Sequence, residues 1–362
     1  AVFAVLYLFL VSIGMIGSAF KGLGRGFAES LFQSQASPFI GLFIGILATG
    51  LIQSSSTTTS LVVGMVAAGT FGSDPKLAVA AAVPYIMGAN IGTSITNTIV
   101  SLGHIVNKEE FKRAFSASVV HDFFNILAVI VIFPLELAFG VISKFAMTLS
   151  SILVGGGGGT FTSPIKFITK PTVKWIENLF QQQSVIDPSV FLLITALAFL
   201  FFSLRNLTKL IKSLVMFKLQ AFFDTHIFKT TIRAVLFGVL ITILVQSSSI
   251  TTSLVIPLAG AGILNLRQIF PYTLGANIGT TITSLLASMV SGTIAPLAVA
   301  LSHLTFNILG IGLLYPIKAI REIPIRLAEW FSDLATRNKI YPLLYILIVF
   351  FLIPLSLISL VR

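Results

Sequence analysis

Three blocks of sequence occur twice in this chain, in the same order and inside its most apolar stretches. IQSSSTTTSLVV, which starts at Ile52, returns as VQSSSITTSLVI from Val245, with nine of twelve positions identical. PYIMGANIGTSITN and HDFFNIL return as PYTLGANIGTTITS and HLTFNIL, and the offset between the copies drifts from 193 to 187 to 182. A shared order with slowly drifting offsets indicates a duplicated unit, so the chain is expected to fold as two related halves.

The repeated blocks lie in a chain that is too apolar for a soluble domain. Hydrophobic residues make up 56% of the sequence and charged residues 10%, whereas soluble domains carry about 25% charged residues. The apolar runs at 1–20, 189–204 and 342–361 approach or reach the ~20 residues that a helix needs to cross a bilayer. We therefore predict an all-α integral membrane protein.

Each half has the same predicted plan, which includes a hairpin with arms too short for a full crossing. The segments 38–52 and 57–71, on either side of the first QSSS, fit the arms of a re-entrant helical hairpin. The GANIGT block that follows contains two glycines and predicts an interrupted transmembrane helix. A unit with one such hairpin crosses the membrane three times, so the second unit would have inverted topology, as in many secondary transporters.

The predicted boundaries follow from these blocks. Repeat 1 spans 1–143, an extracellular linker without an assigned fold spans 144–188, and repeat 2 spans 189–317. The segment 318–362 is predicted to be an amphipathic stretch followed by a transmembrane helix. Within the repeats we predict re-entrant hairpins at 38–71 and 234–263, broken helices at 78–102 and 270–288, and helices at 114–143 and 295–317.

Basic residues set the predicted orientation. Of the 23 Lys and Arg residues, fifteen fall on one predicted side of the membrane and eight on the other. Because cytoplasmic loops are enriched in Lys and Arg, the richer side is predicted to be cytoplasmic, together with the N-terminus. This distribution accounts for the net charge of +11 without a nucleic-acid partner. The absence of cysteine excludes disulfides, thiolate catalysis and cysteine-bound metal.

The QSSS blocks carry the groups that an anion site needs. A hairpin tip leaves about four free N–H groups at the start of its second arm, where they carry partial positive charge. Serine hydroxyls cap such a start, and glutamine adds a donor and an acceptor. No Asp, Glu, Lys or Arg occurs in 38–73 or 234–266, so mobile cations would have to neutralise the anion. The candidate ligands are Gln53, Ser54, Ser55, Ser56, Gln246, Ser247, Ser248 and Ser249.

Oxygen ligands for a small cation come from the GANIGT blocks and from one acid. Asp122 is a carboxylate inside an apolar run, and an intramembrane acid is a functional candidate by default. Asn125 lies one helical turn away and either joins an ion site or braces the bundle. His121 and His303 are expected to have only a structural role. Unwound carbonyls near the GANIGT blocks would be accompanied by Asn90, Thr93, Asn277 and Thr280.

These residues leave more than one function open. An ion-coupled carrier for phosphate, sulfate or a small dicarboxylate fits the paired tips, and a channel or membrane sensor for such an anion is the alternative of another class. Because no nucleophile–base pair or metal cluster lies in the apolar regions, neither an enzyme nor a cofactor is expected. The sequence leaves a homodimer open.

The motifs resemble the type II sodium–phosphate cotransporter family over roughly residues 38–317. The paired QSSS blocks, IMGANIGTSITNTIV, VHDFFN, LGANIGTTIT and LSHLTFNILG carry the resemblance. It implies sodium-driven uptake of divalent inorganic phosphate, with sodium as the coupling substrate, and inverted repeats whose hairpins meet in the centre. We expect electrogenic uptake by alternating access across the plasma membrane of a prokaryotic cell.

The resemblance also implies roles by position. Both QSSS blocks would hold phosphate, with Asn90 and Asn277 near it. Asp122 matches an acid that electrogenic members carry, whereas His104 and Asn107 stand where animal members have Gln and Asp near a further sodium site. The implied sodium ligands are Asp122, Asn125, Thr98, Thr280 and Thr283.

Overall fold

The computed structural model describes residues 2–22, 37–154, 164–181, 187–219 and 227–361, and every regular element within these ranges is a helix. Among the described residues, four helical segments are long and apolar enough to cross a membrane. The prediction of an all-α membrane protein is confirmed at this level. The four segments are Pro75–His104, Lys108–Phe139, Ile294–Leu314 and Ile340–Leu360.

Seven helices form the first half and the start of the connection. They are α1 (Val2–Gly22), α2 (Pro38–Ile52), α3 (Ser55–Ala68), α4 (Pro75–Gly92), α5 (Ile95–Ser101), α6 (Lys108–Phe139) and α7 (Val141–Leu153). The rest of the described chain forms ten helices and one π-helical segment at Ile348–Leu352. The helices are α8 (Pro164–Gln181), α9 (Pro188–Leu219), α10 (Thr231–Val245), α11 (Ser248–Ser253), α12 (Ile256–Gly260), α13 (Leu266–Ser291), α14 (Ile294–Leu314), α15 (Lys318–Arg337), α16 (Ile340–Leu347) and α17 (Ile353–Val361).

Polar residues of the connecting loops cap the helix starts. Asp74 accepts hydrogen bonds from the backbone of Lys76 and Leu77 at 2.7 and 3.1 Å, just before α4. Asn107 caps α6 in the same way, and Asn265 forms a reciprocal capping box at the start of α13. Such caps satisfy N–H groups that have no partner within the helix, which fixes where each long helix begins.

The second GANIGT block does not interrupt its helix, so the prediction of a broken helix at 270–288 is wrong. Helix α13 runs through Gly275 and Gly279 without a break. A Cβ added at Gly275 would lie 2.0 Å from the carbonyl oxygen of Val235 on α10. The glycine therefore allows two helices to approach closely instead of unwinding one of them. In the first half, α4 does end at Gly92, and α5 begins at Ile95 after a short turn.

The connection between the halves has more regular structure than the sequence indicated. The predicted helix 114–143 ends at Phe139, and α7 starts after Gly140, whose φ is +62°. The buried carboxylate of Glu136 accepts a hydrogen bond from Ile142 N at 2.7 Å and thereby caps α7. Helix α8 then adds 18 residues with Trp175 on its exposed face. Its alternation of apolar and basic residues favours an interfacial helix over a structureless tether.

The ends of the second hairpin contact residues of α14 and α6. At one end, here called the basic end, Thr231 lies 3.3 Å from the Tyr315 hydroxyl, and Arg113 donates to the carbonyl of Gly260 at 2.7 and 2.9 Å. These contacts place the start of α10 against the end of α14, and the end of α12 against the start of α6.

The ends of the first hairpin have different neighbours. Phe39 packs on Phe133 near the end of α6, with ring centroids 5.2 Å apart. Gly69, after α3, lines a cleft of about 700 Å³ that it shares with Ser151 and Thr293. The entry of the two re-entrant hairpins from opposite ends of the bundle, and with it the inverted orientation of the repeats in a membrane, remains a prediction.

Candidate functional site

Both hairpins turn on a glutamine in the left-handed backbone region. Gln53 and Gln246 each have a φ of +56°, and among the described residues they are the only positive-φ positions that are not glycine. Each glutamine N–H closes the preceding helix by donating to a threonine carbonyl at 2.7 Å. A left-handed L-residue costs about 1–2 kcal/mol, and such strain often marks functional sites.

A serine follows each glutamine and caps the second arm. Ser54 and Ser247 are extended, and their hydroxyls accept from Thr57 N at 3.2 Å and Ile250 N at 3.4 Å. The next N–H groups of α3 and α11 therefore lie at the tips, as the sequence predicted for an anion site. No Lys or Arg lies in either hairpin tip, so the positive potential comes from backbone amides and hydroxyls alone.

The two tips meet each other in the middle of the bundle. The Ser56 hydroxyl lies 3.0 Å from that of Thr280 and donates to the carbonyl of Gln246 at 3.3 Å. Ser249 makes the matching contact and donates to the carbonyl of Thr93 at 3.2 Å. Each third serine of a QSSS block thus contacts the GANIGT threonine of the other half. The structure brings Ser56 to Thr280 and Ser249 to Thr93 although the members of each pair lie far apart in the sequence.

The two tip glutamines have different surroundings. Gln246 is buried, donates from Nε2 to the carbonyl of Ile243 at 2.6 Å, and accepts from the Thr283 hydroxyl at 2.7 Å. The side chain of Gln53 is exposed. Thr283, implied as a sodium ligand, is therefore hydrogen-bonded to a residue implied as a phosphate ligand.

Asn277 is hydrogen-bonded to two residues of α6, in the first half. Its Oδ1 lies 2.6 Å from His121 Nε2, and its Nδ2 donates to Asn125 Oδ1 at 2.8 Å. Asn125 in turn donates to the carbonyl of Asn90 at 2.9 Å. All four residues are buried. Asn125 thus connects both GANIGT asparagines.

Asn90 has the matching environment in the other half. Its Oδ1 lies 3.3 Å from His303 Nε2, and its Nδ2 donates to Asn307 Oδ1 at 3.2 Å. Each GANIGT asparagine is thus clamped by a His–Asn pair from the opposite half. Such a buried polar network fixes the register of the halves because an unpaired member would be destabilising. The side-chain groups of Asn90 and Asn277 are therefore already engaged in hydrogen bonds between the halves.

Asp122 lies apart from the tips, beside the turn between α4 and α5. It is fully buried, and Ser94 of that turn lies next to its carboxyl group. Asp122 Oδ2 accepts from the Tyr345 hydroxyl at 3.0 Å, whereas Oδ1 has no hydrogen-bond partner among the described residues. Thr98 is also buried and donates to the carbonyl of Ser94 at 3.4 Å. The implied sodium ligands therefore form two groups, one at the tips and one at this turn.

Two residues at the site were not predicted from the sequence. Asn97 Oδ1 accepts from the hydroxyls of Thr252 and Ser253 at 2.9 and 3.0 Å and joins α5 to the second hairpin. The position of Asn97 inside a repeated block could have identified it as a candidate site residue. Tyr345 had no such signal, because it contacts Asp122 across 223 positions of sequence.

Comparison with known proteins agrees with the family that the motifs resemble. The sequence profile of the family described as Na+/Pi-cotransporter matches residues 8–155 and 199–331. Sodium-dependent phosphate transport protein 2B of Homo sapiens is 33% identical over 97% of this chain and 63% of its own length. Sodium-dependent phosphate transport protein 2A of Ovis aries is 33% identical over 96% of this chain and 65% of its own length. The chain thus spans less than two thirds of these relatives, and no solved structure matches it.

Proposed function

The chain belongs to the Na+/Pi-cotransporter family, and from this premise we propose that it carries inorganic phosphate across a membrane together with sodium. The relatives are named as sodium-dependent phosphate transport proteins, and the family is one of transporters, not enzymes. The observation that carries the proposal is the meeting of the two hairpin tips, with Ser56 and Ser249 each placed against the opposite half.

The chemistry of the tips suits a reversibly bound oxyanion. Backbone N–H groups at helix starts and serine hydroxyls donate hydrogen bonds to phosphate oxygens. Because the tips contain no fixed cation, the bound phosphate keeps its charge until mobile cations neutralise it. This couples phosphate affinity to sodium without a permanent ion pair that would slow release. The proposed phosphate ligands are the tip residues Gln53 to Ser56 and Gln246 to Ser249, supported by Asn90 and Asn277.

The hairpins support transport by alternating access between inverted repeats. A 15-residue arm such as α2 is about 22 Å long, which is shorter than the ~30 Å hydrocarbon core. Each hairpin opens toward its own end of the bundle, so the joined tips lie between two routes of entry. The proposed site is exposed to one side at a time, as in transporters built from inverted repeats.

The proposed sodium ligands are Thr280 and Thr283 at the tips, and Asp122, Thr98 and Asn125 near the turn after α4. The carboxylate of Asp122 bears on whether transport is electrogenic. Two sodium ions carried with a divalent phosphate move no net charge, whereas one further sodium would gain about 2.3 kcal/mol per 100 mV. A third sodium at Asp122 would make uptake electrogenic.

We place the basic end on the cytoplasmic side of a plasma membrane. It carries Arg113, Arg267 and the basic residues of α15. Cytoplasmic enrichment of Lys and Arg supports this orientation, with the N-terminus inside. A prokaryotic source is part of the same proposal and rests on the resemblance alone.

The deciding experiment is uptake of radiolabelled phosphate into proteoliposomes under an inward sodium gradient. We expect saturable uptake that requires sodium and rises with an inside-negative potential. Gln53→Ala should lower uptake at least tenfold, while Gln181→Ala, which removes an exposed glutamine at the end of α8, should leave it unchanged.

Other results would redirect the assignment. Competition by succinate but not arsenate would indicate a dicarboxylate carrier. Uptake that neither saturates nor needs sodium would indicate a channel. Loss of voltage dependence in Asp122→Gly, with sodium-dependent uptake retained, would support the electrogenic role of Asp122, and an unchanged current would reject it.

A further inference from the structure

The C-terminal helical segment reaches the candidate ion site through one side chain. Tyr345 on α16 donates to Oδ2 of Asp122 at 3.0 Å. Asp122 is fully buried, and its Oδ1 has no hydrogen-bond partner in the described part of the chain. A buried carboxylate requires compensation by hydrogen bonds or a cation. One oxygen of Asp122 is thus held by the protein, and the other is left as a ligand atom.

Aromatic rings hold Tyr345 in place. Its ring centroid lies 5.0 Å from that of Phe331, 5.7 Å from Phe350 and 6.4 Å from Phe123. Edge-to-face and tilted contacts of this kind fix ring orientation as well as position. The direction of the tyrosine hydroxyl, and with it the orientation of the Asp122 carboxylate, is therefore determined by packing among three helices.

The same helical segment also contacts the first hairpin. Three residues after Tyr345 the backbone widens into the π-helical segment Ile348–Leu352. Phe350 of this segment is fully buried and packs on Gly50, where an added Cβ would lie 3.7 Å from the Phe350 Cβ. Gly50 stands three residues before Gln53. Short π segments inside helices occur frequently at functional sites, where they re-aim side chains.

We propose that Tyr345 is a positioning residue for a sodium ion bound by Asp122, so that the C-terminal segment forms part of the ion site. The identity of the ion rests on the proposed function. Tyr345 holds Oδ2, which directs Oδ1 toward the ion, and the π segment links this arrangement to the first hairpin. Groups that orient a metal ligand from the second layer typically change metal affinity by about 10–100-fold when removed.

The test measures sodium binding without phosphate. Purified protein in detergent is titrated with sodium chloride against choline chloride at constant ionic strength, and the midpoint of thermal unfolding is followed. A bound ion stabilises the folded state by RT ln(1 + [Na+]/Kd), so the midpoint begins to rise once sodium exceeds its dissociation constant. Tyr345→Phe keeps the ring and its packing but removes the hydroxyl, and we expect the dissociation constant fitted to this rise to increase about tenfold.

A matched control is available one helical turn away. Tyr341→Phe removes a hydroxyl from the same helix, at a residue four positions before the one that donates to Asp122, and should titrate like the unchanged protein. Asp122→Asn should remove the component of the response that Tyr345→Phe weakens. In the Asp122→Asn background, Tyr345→Phe should then have no further effect, a non-additivity that a purely structural tyrosine would not produce.

The outcomes separate this inference from the proposed function. A sodium titration of Tyr345→Phe that matches the unchanged protein would overturn it, as would an effect that persists without the Asp122 carboxylate. An unchanged protein whose stability does not respond to sodium would also overturn it. Sodium binding that depends on Tyr345, in a protein that takes up no phosphate, would instead refute the transport assignment and leave the inference standing.

Discussion

The two halves share a plan, but their tips are not equivalent. Gln246 is buried and hydrogen-bonded within its own half, whereas Gln53 is exposed, although both have the same left-handed backbone. The second half therefore presents a tip whose glutamine is already engaged by Thr283. The first half presents a glutamine that remains accessible. The two tips therefore share a backbone conformation but differ in the exposure of their glutamine side chains.

The positions of the helix interruptions also differ between the two halves. In the first half the hairpin arm α3 is continuous and the chain breaks between α4 and α5. In the second half α13 is continuous and the break falls in the hairpin arm, between α11 and α12. Pro257 stands at the start of α12, where Gly64 occupies the matching position in α3. Proline removes a backbone donor and clashes with the preceding turn, which accounts for the break in this arm.

The largest expected effect tests what the halves have in common. A Cβ at Gly88 would lie 2.0 Å from the Leu42 carbonyl, and a Cβ at Gly275 would lie 2.0 Å from the Val235 carbonyl. Gly88→Ala and Gly275→Ala should each destabilise the fold by about 3 kcal/mol or more because two helices must move apart. The measurement is thermal unfolding of the purified variants.

Gly312→Ala is the control for both glycine variants. An added Cβ at Gly312 meets no atom within 4 Å. Alanine is favoured over glycine in a helix by about 1 kcal/mol, so this variant should be unchanged or slightly more stable. If only one of Gly88→Ala and Gly275→Ala were damaging, the halves would not share this close helix packing.

The next effect concerns the tip glutamines. Gln246→Ala leaves the Thr283 hydroxyl without its acceptor, which should cost about 1–3 kcal/mol of stability. Gln53→Ala removes an exposed side chain and should leave stability within about 0.5 kcal/mol. Both variants should lose phosphate uptake. Unfolding measured in choline chloride separates the stability effect from any effect of bound sodium.

A double substitution sharpens this comparison. Thr283→Val removes the hydroxyl that bonds Gln246, so combining it with Gln246→Ala should cost less than the sum of the two single changes. The same combination with Gln53→Ala should be additive. Equal destabilisation by Gln53→Ala and Gln246→Ala would contradict the asymmetry seen in the structure.

Much of this arrangement could be predicted from the sequence, and the failures have a common physical cause. The repeated blocks placed the first hairpin at 38–71, close to the observed Pro38–Ile52 and Ser55–Ala68. The GANIGT glycines were misinterpreted in the second half because a glycine that unwinds a helix and one that admits a neighbouring helix look identical in sequence. Only the position of α10 against Gly275 distinguishes them.

Residues that act across the fold were the hardest to predict. Asp122 stood out as an isolated acid, but its partner Tyr345 is one aromatic residue in a chain with many. The exchange of His–Asn clamps between halves was equally invisible, because a repeat shows which residues correspond and not which ones touch. The family itself was recognisable from the motifs, and the profile match confirms it.

A smaller effect is expected from removing the break in the second hairpin. Pro257→Ala restores the backbone donor and should allow α11 and α12 to merge, as in α3. We expect the amides of residues 254, 255, 256 and 258 to exchange about tenfold more slowly, which corresponds to about 1.4 kcal/mol of local stability. Residues 61–65 of α3 provide the reference within the same molecule. Unchanged exchange would show that Pro257 is not the cause of the break.

The smallest effect lies at the basic end, where an ion pair joins the start of α13 to α15. Arg267, at the start of α13, pairs with Glu322 at 2.7 Å and Glu329 at 3.5 Å on α15, and Ala80 occupies its place in the first half. Arg267→Ala should cost less than about 1 kcal/mol because the Arg267 side chain is mostly exposed, so that water screens its ion pairs. Lys229→Ala, which removes an exposed charge from the loop before α10, is the control.

The pH dependence identifies the source of this small contribution. The guanidinium of Arg267, mainly through its hydrogen bond, lowers the pKa of Glu322 below its ordinary value of 4.5. The ion pair therefore stabilises the fold above pH 4.5, and this stabilisation is lost as the pH falls through the lowered pKa. The difference in unfolding midpoint between Arg267→Ala and the unchanged protein should be constant near neutral pH and shrink below pH 4.5. A difference that persists in acid would assign the contribution of Arg267 to packing of its aliphatic stem against α15.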